Sequence, residues 1–187
     1  IRGGNLTLQQ DGRLSGTAAV NSNFGTLNLD NSASAIGDVS QRVGATVPFN
    51  FLGGAIAYTG YPGALSATTI GTLNLSGGAL TLTATRGSAL GNGTLNVGSV
   101  SRATDATVNF TVGSGTLGQG GLGNSQIFFN AINGVAPATL AGANNGILGG
   151  WATVGGTDFA GYLVAGGSQG GVGALGSIGY PAYSGTL

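Results

Sequence analysis

Short stretches of strict apolar–polar alternation recur along the chain. Gly25-Thr26-Leu27-Asn28-Leu29, Gly71-Thr72-Leu73-Asn74-Leu75 and Gly93-Thr94-Leu95-Asn96-Val97 are near copies of one phrase. Gly4-Asn5-Leu6-Thr7-Leu8, Gly78-Ala79-Leu80-Thr81-Leu82, Ala106-Thr107-Val108-Asn109-Phe110 and Gly115-Thr116-Leu117 are weaker ones. Alternation over four or five residues is the pattern of a half-buried strand, with apolar residues on one face and Thr or Asn on the other. Amphipathic helical spacing is nowhere sustained, and Gly interrupts nearly every window at about 1 kcal/mol per interior helical position. The chain therefore reads as all-β.

The leading glycines lie 21 residues apart from Gly4 to Gly25, 46 to Gly71, then 22 to Gly93 and 22 to Gly115. A period near 22, once doubled, accommodates all of these spacings. A fixed period of this size marks stacked units, none of which buries its apolar face alone. The expected architecture is a parallel β-helix, or β-solenoid, with rungs of about 22 residues and short loop excursions. With rungs roughly 4.8 Å apart, Leu27, Leu73 and Leu95 would form one interior column and Asn28, Asn74 and Asn96 one outer polar ladder. Asp11-Gly12, Asn92-Gly93, Asn133-Gly134 and Asn145-Gly146 supply tight corners.

Residues 1–187 read as one solenoid segment, divided into repeat rungs over 1–117, Gly-rich loops and a strand over 118–146, and Trp-containing terminal strands over 147–187. Between Asn21 and Leu65 the pattern loosens into larger rungs with a protruding loop around Phe49, Phe51, Tyr58 and Tyr61. Residues 135–146, around Pro137, read as loop, and 147–160 as two short strands about the Gly155-Gly156 turn. Trp151 and Phe159 are expected to pack over a rung end. Ile1 at the start and Ser184-Gly185-Thr186-Leu187 in mid-phrase point to a segment of a longer repetitive protein.

Composition narrows the chemistry. Among 187 residues there are 40 Gly and 4 Pro, but also 47 Leu, Ile, Val and Phe, too many for a disordered chain. Five Arg and five Asp are the only charged residues, and Lys, Glu, His, Cys and Met are absent. No imidazole, thiolate or amine can act as base or nucleophile, no disulfide can form, and five scattered Arg make no nucleic-acid stripe. No apolar run is long enough for a membrane-spanning helix.

The strand phrases and the residues that follow them carry a resemblance. Ile36-Gly37-Asp38, Arg42-Val43-Gly44, Thr69-Ile70 before the second phrase, Gly98-Ser99-Val100-Ser101-Arg102 and above all Gly149-Gly150-Trp151-Ala152-Thr153-Val154 resemble the autotransporter-associated β-strand repeat proteins, long bacterial surface polypeptides. That resemblance implies a secreted β-helical passenger or surface array without catalytic residues.

The five Asp lie far apart in sequence, at 11, 30, 38, 105 and 158; Asp11 and Asp105 sit next to turns, and Asp38 is within local reach of Arg42. Turn caps and ion pairs account for them better than a glycosidase pair. Gly155-Gly156-Thr157-Asp158 is only a fragment of a calcium-binding nonapeptide, so no metal and no cofactor is expected. Thr81, Thr83 and Thr85 line one side of a strand, a spacing that a hydroxyl array would use.

The expected function is structural: a repeat subunit or segment of an extracellular bacterial surface fibre or layer, assembling with itself by strand stacking or strand addition. Its assembly strands would be the termini, with Ile1, Leu6 and Leu8 at one end and Tyr180, Tyr183 and Leu187 at the other. The alternative is an adhesin or passenger stalk that binds surface glycans through Phe49, Tyr58, Tyr61 and Trp151. A carbohydrate-active enzyme ranks last, for want of general bases.

Overall fold

A computed structural model describes residues 1–166 and 169–183. Leu187, named above as an assembly residue, lies outside the described residues. Strand makes up 49% and helix 4%, and stacked parallel coils form a β-solenoid of about four turns, the architecture expected from the alternation.

The strands are β1 (Asn5–Leu8), β2 (Val20–Asn23), β3 (Thr26–Asp30), β4 (Phe49–Thr59), β5 (Ala67–Ile70), β6 (Leu73–Thr85), β7 (Gly93–Arg102), β8 (Thr107–Val112), β9 (Ser125–Ile132), β10 (Ala152–Val154), β11 (Asp158–Gly166) and β12 (Gln169–Ala174). One helix, α1 (Pro137–Ala143), lies between β9 and β10. The long strands are bent and contribute to two ladders each. A first parallel ladder stacks β1, β3, the second halves of β4 and β6, β8 and β10. A second stacks β2, the first halves of β4 and β6, and the ends of β7 and β9. The third is β5, then the starts of β7 and β9.

Glycine makes the bends. Gly53 and Gly54 in β4, and Gly77 and Gly78 in β6, have φ of +73°, +112°, +152° and +71°, which side-chain-bearing residues rarely adopt. The register of β4 against β6 slips at this corner, between Phe51 and Leu52 and again before Gly54.

Side chains alternate in and out of the coil. In the first ladder Leu6, Leu27, Ile56, Leu82, Phe110 and Val154 stand in one register column, and in the second Val20, Phe49, Leu73, Val100 and Ile132 do. The third contributes Ile70, Val97 and Phe129. Most of these residues are fully buried, each at about 1.5–3 kcal/mol of transfer free energy. Phe110 and Phe129 meet edge-to-face across the interior, ring centroids 5.6 Å apart.

The coil is not uniformly 22 residues long. Leu6 faces Leu27, 21 positions on, but Leu73 faces Val100, 27 on, Leu80 faces Val108, 28 on, and Gly93 faces Ser125, 32 on. The repeated phrase therefore does not return to the same face. Leu27 is in the first ladder, Leu73 in the second and Leu95 in the third, so neither the expected leucine column nor the Asn28, Asn74, Asn96 ladder forms. Alternation specifies a strand with one buried side, and all three walls of the coil place the same demand on sequence.

The ends differ. At the N-terminal end β1 pairs with β3, and no described strand covers its other edge. The outer edge of β2 is partly met by residues 1–3: the Asn23 amide donates to the Ile1 carbonyl at 2.8 Å, and the Gly3 amide to the Asn23 carbonyl at 3.0 Å. At the other end β11 turns back antiparallel on β10 through the Gly155-Gly156 turn, and β12 turns back on β11. Over residues 135–146, read as loop, the chain instead forms α1, with Pro137 in its first turn, where the missing N–H costs nothing. The expected terminal strand from Tyr180 is not present in the described part. Tyr180 sits in a bend with its ring buried and its hydroxyl donating to the Gly171 carbonyl at 2.9 Å, and residues 181–183 are irregular.

Candidate functional site

The acids are dispersed into local roles. Asp30 accepts from the Ser32 amide at 2.8 Å, and Asp158 from the Tyr183 hydroxyl at 2.9 Å. Among the described residues no three His, Cys, Asp or Glu gather where they could hold a metal ion.

One buried polar network joins the first coils. Arg42, only 1% exposed, donates through Nε to Asn31 Oδ1 at 2.7 Å and through Nη1 to the carbonyls of Gln10 and Gly12 at 3.0 and 2.9 Å. Burial pulls its pKa down, partly countered by the nearby Asp30 carboxylate. The expected Asp38–Arg42 contact is replaced by a relay through Asn31, which accepts from Arg42 and donates to Asp38 Oδ1 at 2.8 Å. Asp38 also accepts from the Ser66 hydroxyl at 2.7 Å, and Ser66 contacts the Tyr58 hydroxyl at 2.6 Å. Burial pushes the Tyr58 phenol up to about 12. These bonds tie residues 10–12, 31–42 and 58–66 to one another, so the network reads as a staple between loops. Arg42 Nη2 and Ser34 Oγ are its buried atoms without a partner among the described residues.

The aromatic residues expected to face a glycan do not form one surface. Phe49 and Tyr58 are completely buried inside the coil, a correction that follows from strand parity: in β4 both fall on the inward side. Tyr61 is half-buried in the following turn. Trp151 is half-buried against the core, and the Arg102 guanidinium carbon stands 4.7 Å from its ring centroid. Arg102 Nη1 is committed to the carbonyls of Ala103, Thr104 and Ala106 at 2.8–2.9 Å. Phe159 is 42% exposed rather than packed away. Of the N-terminal assembly residues, Leu8 is buried, while Ile1 and Leu6 are half-buried. Tyr183 is exposed and Tyr180 buried.

The outer wall of the second ladder carries the site that sequence reading missed. Asn21, Asn50, Asn74 and Ser101 occupy one register column. The Asn74 amide donates to Asn50 Oδ1 at 2.7 Å, and the Asn50 amide to Asn21 Oδ1 at 2.7 Å. The signal was an Asn one residue after each inward apolar residue, in Val20-Asn21, Phe49-Asn50 and Leu73-Asn74, but coil spacings of 29 and 24 residues hid the alignment behind the 22-residue phrase. Two open cavities lie along this wall. One, of about 310 Å³, is lined by Arg2, Asn21, Asn23, Asn50, Leu52 and Ser76 among others. The other, of about 520 Å³, shares Asn50 and Ser76 and continues past Asn74 and Ser101 to Arg102. A third cavity, about 330 Å³, lies between β9, α1 and β11 and is lined mainly by Phe128, Phe129, Pro137, Tyr162 and Val164.

No family model, curated protein or solved structure matches the chain.

Proposed function

We propose that this chain is a structural segment of an extracellular bacterial surface fibre or passenger stalk, joined to its neighbour by coil stacking. The observation that carries the reading is the difference between its ends. β1, Asn5-Leu6-Thr7-Leu8, offers a parallel-sheet edge without Lys, Pro or a bulge, the devices that normally blunt such an edge. The far end is closed by the antiparallel β10–β11–β12 turn-back. Two copies meeting at this edge pair β1 with β1 by strand addition, and a neighbouring segment with a parallel edge of its own extends the same hydrophobic column. The neutral outer surface, with five positive and five negative residues in 187, offers little repulsion between units. The resemblance to autotransporter-associated β-strand repeats supports the same reading.

The test is sedimentation velocity with negative-stain electron microscopy, over a concentration series, on the parent and on an Asn5→Lys/Thr7→Lys variant. The expected result is concentration-dependent association of the parent, lost in the variant with its far-ultraviolet circular dichroism unchanged. A parent that stays monomeric at every concentration, or a variant that associates equally well, refutes stacking at β1.

A further inference from the structure

The wall of the second ladder carries two adjoining cavities that form a groove. They share Asn50 and Ser76, and together they run from Arg2, beside the first coil, to Arg102. The floor is the amide column of Asn21, Asn50 and Asn74, extended by Ser101. Adjacent members are one inter-strand step of roughly 4.8 Å apart, so the groove crosses four coils.

The amides already spend part of their capacity on each other. Each donated N–H runs the same way along the column, from Asn74 to Asn50 and from Asn50 to Asn21. A primary amide has two N–H donors and two lone pairs on oxygen, so within the column two N–H and one lone pair are left on Asn21, one of each on Asn50, and one N–H and two lone pairs on Asn74. The floor thus keeps both donor and acceptor capacity at each amide, one inter-strand step apart. A row of hydroxyls, each both donor and acceptor, satisfies such a floor. A row of carboxylates or phosphates does not, because it offers acceptors only. The charged residues that line the groove stand at its two ends, Arg2 and Arg102, and the Nη1 of Arg102 is spent on the carbonyls of Ala103, Thr104 and Ala106, so the floor between them is uncharged. Leu52, 39% exposed, gives the rim an apolar surface against which the C–H face of a sugar ring packs.

We infer that the groove over Asn21, Asn50, Asn74 and Ser101 binds an extended neutral oligosaccharide. The groove opens outward from the wall; its first end, at Arg2 and Asn21, belongs to the terminal coil, and the part from Asn50 to Ser101 lies away from the stacking edge and stands independently of the stacking reading. Binding at a shallow groove of this kind is weak for one unit and multiplies along a repeated array.

Isothermal titration and heteronuclear NMR with cellohexaose, xylohexaose and maltohexaose, and with hexagalacturonate as the acidic counterpart, test it. The expected result is saturable binding of at least one neutral hexaose, with shifts confined to the Asn21–Ser101 wall, and weaker binding of hexagalacturonate. Asn50→Leu removes the central donor and acceptor, and Ser76→Trp fills the groove from an exposed position; each lowers affinity about tenfold, the size of one or two lost hydrogen bonds. Circular dichroism confirms that each variant folds, and the exposed Ser76 substitution keeps the test decisive if the Asn50 variant does not. No binding by any neutral hexaose, tighter binding of hexagalacturonate, or parent-like affinity in the folded variants overturns the assignment.

Discussion

Replacing Arg42 by Met keeps most of the aliphatic stem and removes the guanidinium that ties two loops together. Three hydrogen bonds disappear, to Asn31 Oδ1 and to the carbonyls of Gln10 and Gly12. Bonds from a charged donor contribute about 1.5–3 kcal/mol each, and the acceptors left behind lose their partner inside the protein. Against that, Met spares the cost of burying a charge, which for a side chain with 1% exposure is several kcal/mol. The balance is a loss of about 3–5 kcal/mol, a large share of the roughly 5–15 kcal/mol that a domain has. For a chain of this length the loss lowers Tm by about 10 °C. The assay is urea unfolding followed by circular dichroism, with hydrogen exchange to localise the effect. Solenoids unfold coil by coil, so amides of residues 9–14 and 31–43 are expected to lose protection before those of β8 and β9. Arg42→Lys keeps the charge but not the fork, and is expected to fall between parent and Met. A Met variant within about 0.5 kcal/mol of the parent, with unchanged exchange in both loops, would refute the staple.

Two further outcomes follow from the same packing. Burial raises the Tyr58 phenol to about 12, above its ordinary value near 10, so the folded chain keeps this proton where the unfolded chain has lost it. Its contribution to stability is complete below pH 10 and is lost as pH rises to about 12, at about tenfold in the folding equilibrium per pH unit; a Tyr58→Phe variant should show a shallower alkaline loss, and an identical slope would exclude Tyr58 as its source. At Gly93 a Cβ would run into the Thr85 carbonyl, so Gly93→Ala is expected to cost about 1–3 kcal/mol, whereas Gly16 has nothing within 4 Å and Gly16→Ala is expected to be neutral or stabilising by about 0.5 kcal/mol. Equal urea midpoints for these two variants would show that Gly93 serves only as a flexible joint.

The strands were legible because alternation is a local consequence of one buried side. Leu73 and Leu75 point inward in β6, Thr81 and Thr83 point outward, and nothing beyond residue type is needed to see it. The coil was not legible, because its length is set where the sequence is least regular. The loop between β3 and β4 stretches the step from Thr26 to Ala55 to 29 residues, and the 113–124 excursion stretches that from Gly93 to Ser125 to 32. The copies of Gly-Thr-Leu-Asn recur at 22 because they begin corners on different walls. Gly25, Gly71 and Gly93 each lack a side chain where a Cβ would strike, respectively, Ile1, the Val47 carbonyl and the Thr85 carbonyl. The phrase is thus a corner-and-strand unit, and its period measures wall to wall rather than coil to coil. The same confusion hid the Asn21–Asn50–Asn74 ladder and misplaced Phe49 and Tyr58 on the outside.

A solenoid with almost no charge must hold its walls in register and limit association by other means. Polar side chains directed outward are bonded to the neighbouring coil rather than to a counter-charge. Asn28 donates to Thr7 at 3.1 Å, Thr83 and Thr111 hydroxyls meet at 2.6 Å, and Asn74, Asn50 and Asn21 form a chain. Each such bond is satisfied only when the strands are aligned residue for residue, since a slip of one position would turn every Asn and Thr inward and every Leu outward. These ladders therefore specify register where charge pairs would in an ordinary domain. They also leave a regular row of unspent donors and acceptors facing solvent, so the feature that fixes the stacking creates the binding groove on the same wall. A wall stripped of its amides by Asn→Leu would lose both properties together, whereas filling the groove at Ser76 separates them by lowering affinity about tenfold while leaving the register intact.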